Sequence, residues 1–233
     1  MVYRLWGVAL LIELAGQLVA YRVWTPPTDQ GGAVFAATPS LIERLDLFVM
    51  IVLGEVIVGA VNGMADLHPI TSVGVVIGLL GMLIAIGLWW IYFDLVSHRA
   101  PTSTRTQLWL YLHLPLLMTM AAVGAGVLNT VEHSMVPLPA NVRWLLVGAL
   151  AVALGTVAAL GRTLEVRRAC PALYRTVTGA FAVSAVAILA VGFTGWGAQG
   201  TLIAMVLLLG LPIAAGLSVW VRHMDAADLG LDE

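Results

Sequence analysis

Residues 39–61, PSLIERLDLFVMIVLGEVIVGAV, open like the start of a helix and then turn almost wholly apolar around one carboxylate, Glu55. If a membrane tolerates that acid, the stretch is a span; if not, the helix count falls by one. Composition favours the span. Hydrophobic residues make up 61% of the 233 residues and charged ones only 10%, too greasy for a water-soluble single-core domain. The chain reads as an integral membrane protein whose first partner is the lipid bilayer. All eleven basic residues are arginine and the net charge is −2, so neither a polybasic nucleic-acid surface nor an acidic tail is present and no nucleic-acid partner is expected. The single cysteine, Cys170, allows no internal disulfide and lies outside any metal-like spacing.

Uncharged runs cover 67–93, 106–131, 144–161 and 176–221, each at or above the roughly 18 residues that read as a span. The last is long enough for two helices, with a turn in the glycine-rich Gly192–Gly200. Segments 3–23 and 42–63 join them if Glu13 and Glu55 are accepted inside the membrane. The expected fold is an all-α, polytopic membrane helix bundle, a single domain over 1–233. Its seven helices fall at about 3–23, 42–63, 72–94, 107–130, 142–162, 173–193 and 199–221.

The connections alternate in charge. One side holds Arg22, Arg44, Arg99, Arg105, Arg162, Arg167, Arg168, Arg175 and Arg222, the other only Arg4 and Arg143. By the positive-inside rule the first side is cytoplasmic, the amino terminus outside and the carboxyl terminus inside. The expected location is the inner (cytoplasmic) membrane of the cell, crossed many times. Trp89, Trp90 and Tyr92, with Trp109 and Tyr111, are expected at the cytoplasmic interface. The arginine group at 162–175 serves topology, with contact to anionic lipid as a second role.

Gly74, Gly78, Gly81 and Ala85 form a small-residue stripe that suits close helix packing. Pro115 and Pro212 each leave a carbonyl without its amide partner and kink their helices. The 142–162 span, with little polarity beyond Thr156, is expected to face lipid.

Acids inside a bilayer cost at least about 2.5–3.5 kcal/mol each and normally face protein or water. At 100° per residue, Arg44 and Glu55 lie about 20° apart on one face, and Phe48 and Asn62 share it. This is a polar seam expected to aim into the bundle. Glu13 sits near the middle of the first span with Gln17 one turn on, while Asp94 and His113 fall nearer the cytoplasmic side. A titratable ladder from Asp94 and His113 to Glu55 suits a proton relay. The alternative is structural: Glu55 as a protonated hydrogen-bonding acid between helices. Glu43, Arg44 and Asp46 read as a solvated helix entrance capped by Ser40.

Enzymatic signatures are missing. The sequence has no His-Glu-x-x-His, no Gly-x-Ser-x-Gly, no phosphate-cradling glycine loop with lysine, and no histidines beside Glu13 and Glu55 for a metal pair. Neither a metal nor another cofactor is expected.

Three runs in order, IERLDLFVMIVLGEVIVG at 42–59, LWWIYFD at 88–94 and YLHLPLLMTMAAVGAG at 111–126, resemble the bacterial low temperature requirement A family of membrane proteins. The resemblance matches Glu43, Arg44, Gly54, Glu55, Trp89, Tyr92, Asp94, His113 and Pro115 to recurring family positions, while Asp46 departs from the small residue usual there. It implies a link to growth at low temperature and no agreed biochemical activity. It also implies further amino-terminal helices, including a span with a Glu-Leu-Phe-Phe-Asp type motif, so the chain is expected to be a shortened member or a fragment. Missing amino-terminal helices or a second copy are then expected partners.

Residues and resemblance together lead to a multi-pass protein of transporter or channel type. Glu55 is its proton- or cation-responsive group, Asp94 and His113 shape cytoplasmic access, and Arg44, Asn62 and Glu13 accompany them. The alternative is a membrane scaffold or cold-stress component whose polar residues hold helices together. A lipid- or isoprenoid-directed enzyme ranks third and calls for a lateral opening reaching Asp94.

Overall fold

The computed structural model describes residues 37–65, 71–132, 134, 137–169 and 171–228, with 12, 15 and 16. The chain divides into two units, 1–36 and 37–233, and the fold is that of the second. Of the expected span at 3–23 only 12, 15 and 16 are described, and Glu13 falls outside the described residues.

Six helices long and apolar enough to cross a membrane occupy the second unit. They are α1 (Pro39–Ala65), α2 (Ser72–Leu95), α3 (Thr106–Glu132), α4 (Ala140–Gly161), α5 (Pro171–Val191) and α6 (Ala198–Asp228). Each coincides with an expected span from 42–63 onward. Among the described residues there is no β-strand, only an isolated bridge between Pro101 and Leu164.

The helix ends follow from local chemistry. Thr38 begins α1: its Oγ1 accepts the Leu41 amide at 3.2 Å, and its carbonyl accepts the amides of Leu41 and Ile42 at 3.0 and 3.1 Å. Pro39, the first helical residue, has no amide to leave unpaired there. The expected cap, Ser40, lies inside the helix instead. Thr71 does the same for α2, accepting the Gly74 amide at 3.2 Å. Between α5 and α6, Gly195 takes φ +68, a left-handed turn that glycine adopts without a Cβ penalty. Arg143 at the start of α4 donates from Nε to the Gly192 carbonyl at 3.0 Å, closing the end of α5.

The helices pack as a closed circuit in which α1 meets α3, α3 meets α4, α4 meets α5, α5 meets α6, α6 meets α2 and α2 returns to α1. A further contact between α2 and α3 crosses it. Contrary to expectation, α4 is mainly a core helix: 61% of its most apolar window is buried, the highest share of the six, and only a narrow side with Leu145 and Val152 stays exposed. Its alanines, leucines and valines point apolar surface all round, and a helix apolar on every side is a core helix. The glycine stripe of α2 packs as expected. A Cβ on Gly78 would collide with Met64 of α1, and one on Gly81 with Val127 of α3, so the absence of side chains lets three helices meet.

Pro212 cannot donate to the carbonyl of Leu208, four residues back. Ser184 of α5 supplies the missing donor, its Oγ reaching that oxygen at 2.8 Å. A neighbouring hydroxyl thus repairs the proline gap, which apolar surroundings would otherwise make costly.

Gly81→Val should destabilise the bundle by about 1–3 kcal/mol, read as a lower melting temperature in detergent. Gly148→Ala, where an added methyl meets nothing within 4 Å, should leave that temperature nearly unchanged.

Candidate functional site

The buried stripe of α1 is Ile42, Asp46, Val49, Leu53, Val56, Ala60 and Gly63. An acid therefore occupies a position with core spacing. Asp46 is no part of a solvated entrance; it is buried at 5% exposure, because donors from two other segments converge on it. Tyr92 of α2 donates its hydroxyl to Oδ1 at 2.8 Å. Just past the end of α2, Ser97 Oγ donates to Oδ2 at 2.8 Å, and the His98 amide reaches the same oxygen at 3.2 Å. The His98 imidazole adds a contact from Nδ1 to Oδ2 at 3.4 Å, with 74% of its side chain exposed. His98 adopts φ 58, an unusual left-handed conformation for a non-glycine residue. In that turn both its amide and its ring face Asp46.

The contacts continue inward. Tyr92 Oη lies 3.1 Å from Nε2 of His113 on α3, and His113 Nδ1 lies 2.8 Å from the Trp109 carbonyl. Asp46, Tyr92, His113 and Trp109 are all buried. The Trp109 and His113 rings meet edge to face with centroids 4.6 Å apart. The Trp109 indole Nε1 is buried without a hydrogen-bond partner, a cost of about 1–3 kcal/mol.

Donor counting limits the proton arrangements that satisfy both ring contacts. A carbonyl can only accept, so Nδ1 of His113 carries hydrogen and donates to Trp109. Tyr92 has one hydroxyl proton for two neighbours. If it donates to an ionised Asp46, a hydrogen bond at the His113 contact calls for Nε2–H, which makes His113 an imidazolium. If Tyr92 donates to a neutral His113, its oxygen must accept from a protonated Asp46. Both arrangements hold one proton more than a carboxylate beside a neutral imidazole. They interconvert by moving two protons: Nε2–H to the tyrosine oxygen, and the tyrosine proton to Oδ1. Asp46, Tyr92 and His113 thus form a wire of buried contacts, with Oδ1 toward the interior and Oδ2 toward the exposed His98.

Of the residues singled out in the sequence, the structure brings His113 and Tyr92 into this site. Arg44, Phe48, Glu55 and Asn62 are all exposed on α1, because nine residues separate Asp46 from Glu55 and turn the two acids about 180° apart, roughly 13.5 Å along the axis. Among the described residues the polar seam is thus exposed rather than aimed into the bundle. Glu55 instead borders a groove of about 230 Å³ between α1 and α3, among Val52, Gly59, Ala121, Gly124, Ala125 and Leu128. Asp94 is exposed and lines a separate cavity of about 310 Å³ with Trp90, Leu95, Arg99, Leu173, Ile213, Gly216 and Leu217. Glu43 is exposed and Gly54 half-buried. Trp89 stacks on Phe93 with centroids 5.6 Å apart. Pro115 accepts at its carbonyl from Thr119 Oγ1 at 2.8 Å. Tyr92 and Trp109, expected among the interfacial aromatics, are core residues, whereas Trp89 and Trp90 are 40% and 51% exposed. Among the described residues no group of three or more His, Cys, Asp or Glu could hold a metal ion.

The runs that carry Asp46, Tyr92 and His113 coincide with the family resemblance noted above. The family model described as bacterial low temperature requirement A protein (LtrA) matches residues 1–219. The chain belongs to this family. It matches no curated protein and no solved structure. For this LtrA-family member, family and six apolar helices together establish a multi-pass membrane protein.

Asp46→Asn and Tyr92→Phe should each lower stability in detergent. In a double-mutant cycle, their effects should fall short of additivity by about 1–3 kcal/mol. Strict additivity would show that the wire is not one interacting unit.

Proposed function

We propose that this LtrA-family protein is a proton-linked transporter or channel in which Asp46, Tyr92 and His113 handle the proton. The observation that carries the reading is the buried run of contacts Asp46–Tyr92–His113, with exposed His98 at its outer end, along which a two-proton shift is available. Buried ionisable groups in membrane helices are costly and belong to ion pathways by default. The unpaired Trp109 indole beside His113 adds a donor that a transported anion or polar ligand would satisfy. His98 exchanges protons with solvent, Asp46 takes them on one oxygen and communicates through the other, and Tyr92 passes them to His113.

The positive-inside rule assigns the end bearing His98 to the cytoplasm. Among the described side chains, this end gathers Arg44, Arg99, Arg105, Arg162, Arg167, Arg168 and Arg175, against Arg143 at the other. In a bacterial cell this makes the inner membrane the expected location. Glu55 is a second intramembrane acid off the wire, and Asp94 flanks a different cavity, so each acts separately from Asp46 if it acts in transport.

A scaffold role is the second reading, favoured by one observation: every contact of the wire joins different elements, α1 to α2, α2 to α3, and α1 to the turn after α2. Tyr92→Phe separates the two. In proteoliposomes loaded with a pH-sensitive dye, the relay predicts at least a tenfold loss of proton flux while the purified variant keeps its fold. The scaffold reading predicts the loss of stability alone, with no flux in either protein. Wild-type flux retained in the phenylalanine variant removes the relay, and Glu55→Gln in the same assay reports whether the second acid takes part.

A further inference from the structure

At the end of the bundle that carries His98, two loops are stitched together. The Thr102 amide donates to the Thr163 carbonyl at 2.9 Å and the Glu165 amide to the Ala100 carbonyl at 3.2 Å, forming the bridge between Pro101 and Leu164. Arg105 Nη1 donates to the Arg162 carbonyl at 2.6 Å. Leu164 and Thr163 are buried beneath the bridge. Two short 3₁₀ turns, Ser103–Arg105 and Val166–Arg168, flank it.

This stitched platform presents arginines around two adjoining cavities. One, of about 300 Å³, is lined by Arg162, Arg167, Pro171, Tyr174, Arg175 and Thr178. The other, of about 370 Å³, shares Arg162, Arg167 and Pro171 and adds Arg105, Arg168, Leu164 and the threonines Thr102 and Thr104. No carboxylate lines either cavity, and among the described residues none of these arginines forms an ion pair. Five arginines therefore line the two cavities with no carboxylate among the lining residues.

We infer that these cavities bind the phosphate headgroup of an anionic phospholipid. Guanidinium groups with nearby hydroxyls are the donor set that suits phosphate oxygens, with paired N–H groups matching two oxygens at once. Place selects lipid over a soluble anion. Arg175 and Thr178 lie in the first two turns of α5, a membrane-spanning helix, so a headgroup held there keeps its acyl chains beside the apolar surface of the bundle. Basic pockets between spanning helices on the cytoplasmic side are where anionic headgroups are recognised. The stitched backbone holds the arginines in place before the lipid arrives, which lowers the ordering cost of binding.

The test uses the full-length protein in detergent, titrated with phosphatidylglycerol, phosphatidylcholine or inorganic phosphate while its melting temperature is followed. Phosphatidylglycerol should raise that temperature by several degrees, and phosphatidylcholine should not. Arg162→Gln with Arg167→Gln removes the two residues common to both cavities but leaves the backbone stitch. It should weaken the apparent phosphatidylglycerol affinity about thirtyfold, while its melting temperature without lipid stays near that of wild type. Arg143→Gln at the opposite end should leave the affinity unchanged. If the double variant does not fold, Arg168→Gln with Arg175→Gln takes its place, with the same loss expected. Equal responses to the two lipids, or an undiminished response in the variant that folds, would overturn the assignment. So would a full response to inorganic phosphate alone, by showing a soluble-anion site.

Discussion

A carboxylate buried among apolar helices has to be compensated, and the packing of α1, α2 and α3 around Asp46 is that compensation. An unpaired ion in such surroundings costs several kcal/mol. Asp46 receives two hydroxyls, one backbone amide and an imidazole, drawn from α2 and the turn that follows it. That turn must end α2 where Ser97 and His98 reach back to α1. Tyr92 must be fully buried to serve both Asp46 and His113, and α3 must present His113 at the same depth. The carboxylate thereby sets the relative heights of three helices, a specification that interchangeable apolar contacts supply poorly.

The rest of the bundle meets the same constraint by other means. Gly78 and Gly81 let α2 approach Met64 and Val127, and Ser184 covers the carbonyl that Pro212 leaves open. These are close-packing and hydrogen-bonding solutions rather than burial of polar surface from water, as expected where the solvent is lipid. The two ends differ: one is clasped by Arg143 on Gly192, the other by backbone stitching to which Arg105 adds a side-chain bond.

The spans from 42–63 onward were legible because each is a long apolar window with charges only at its ends, and their observed limits shift by a few residues at most ends. The extension of α6 to Asp228 is the exception, since its charged tail carries no apolar signal. The site was half legible. Tyr92 and His113 stood out through motif resemblance. Asp46 was hidden by its neighbours: beside Glu43 and Arg44 it reads as a helix entrance, although its spacing from Ile42, Val49 and Leu53 already put it on the buried stripe. Ser97 and His98 lie 51 and 52 residues from Asp46, and nothing local signals a pairing over that separation. Glu55 misled for the complementary reason, since depth along a helix is readable from position but the direction it faces depends on which neighbours pack against it. The core position of α4 escaped notice likewise, because an evenly apolar helix has no face to read.

Among the described residues, His98 is the one non-glycine position with positive φ. Glycine would adopt that backbone with less strain, on the order of 1 kcal/mol, and would still offer its amide to Asp46. What glycine lacks is a ring that spans from solvent to the carboxylate. Robustness and reactivity therefore pull in opposite directions at this one residue, and the chain sits on the reactive side. A sturdier relative could be made there by a single substitution, at the expense of an exposed imidazole that touches Asp46.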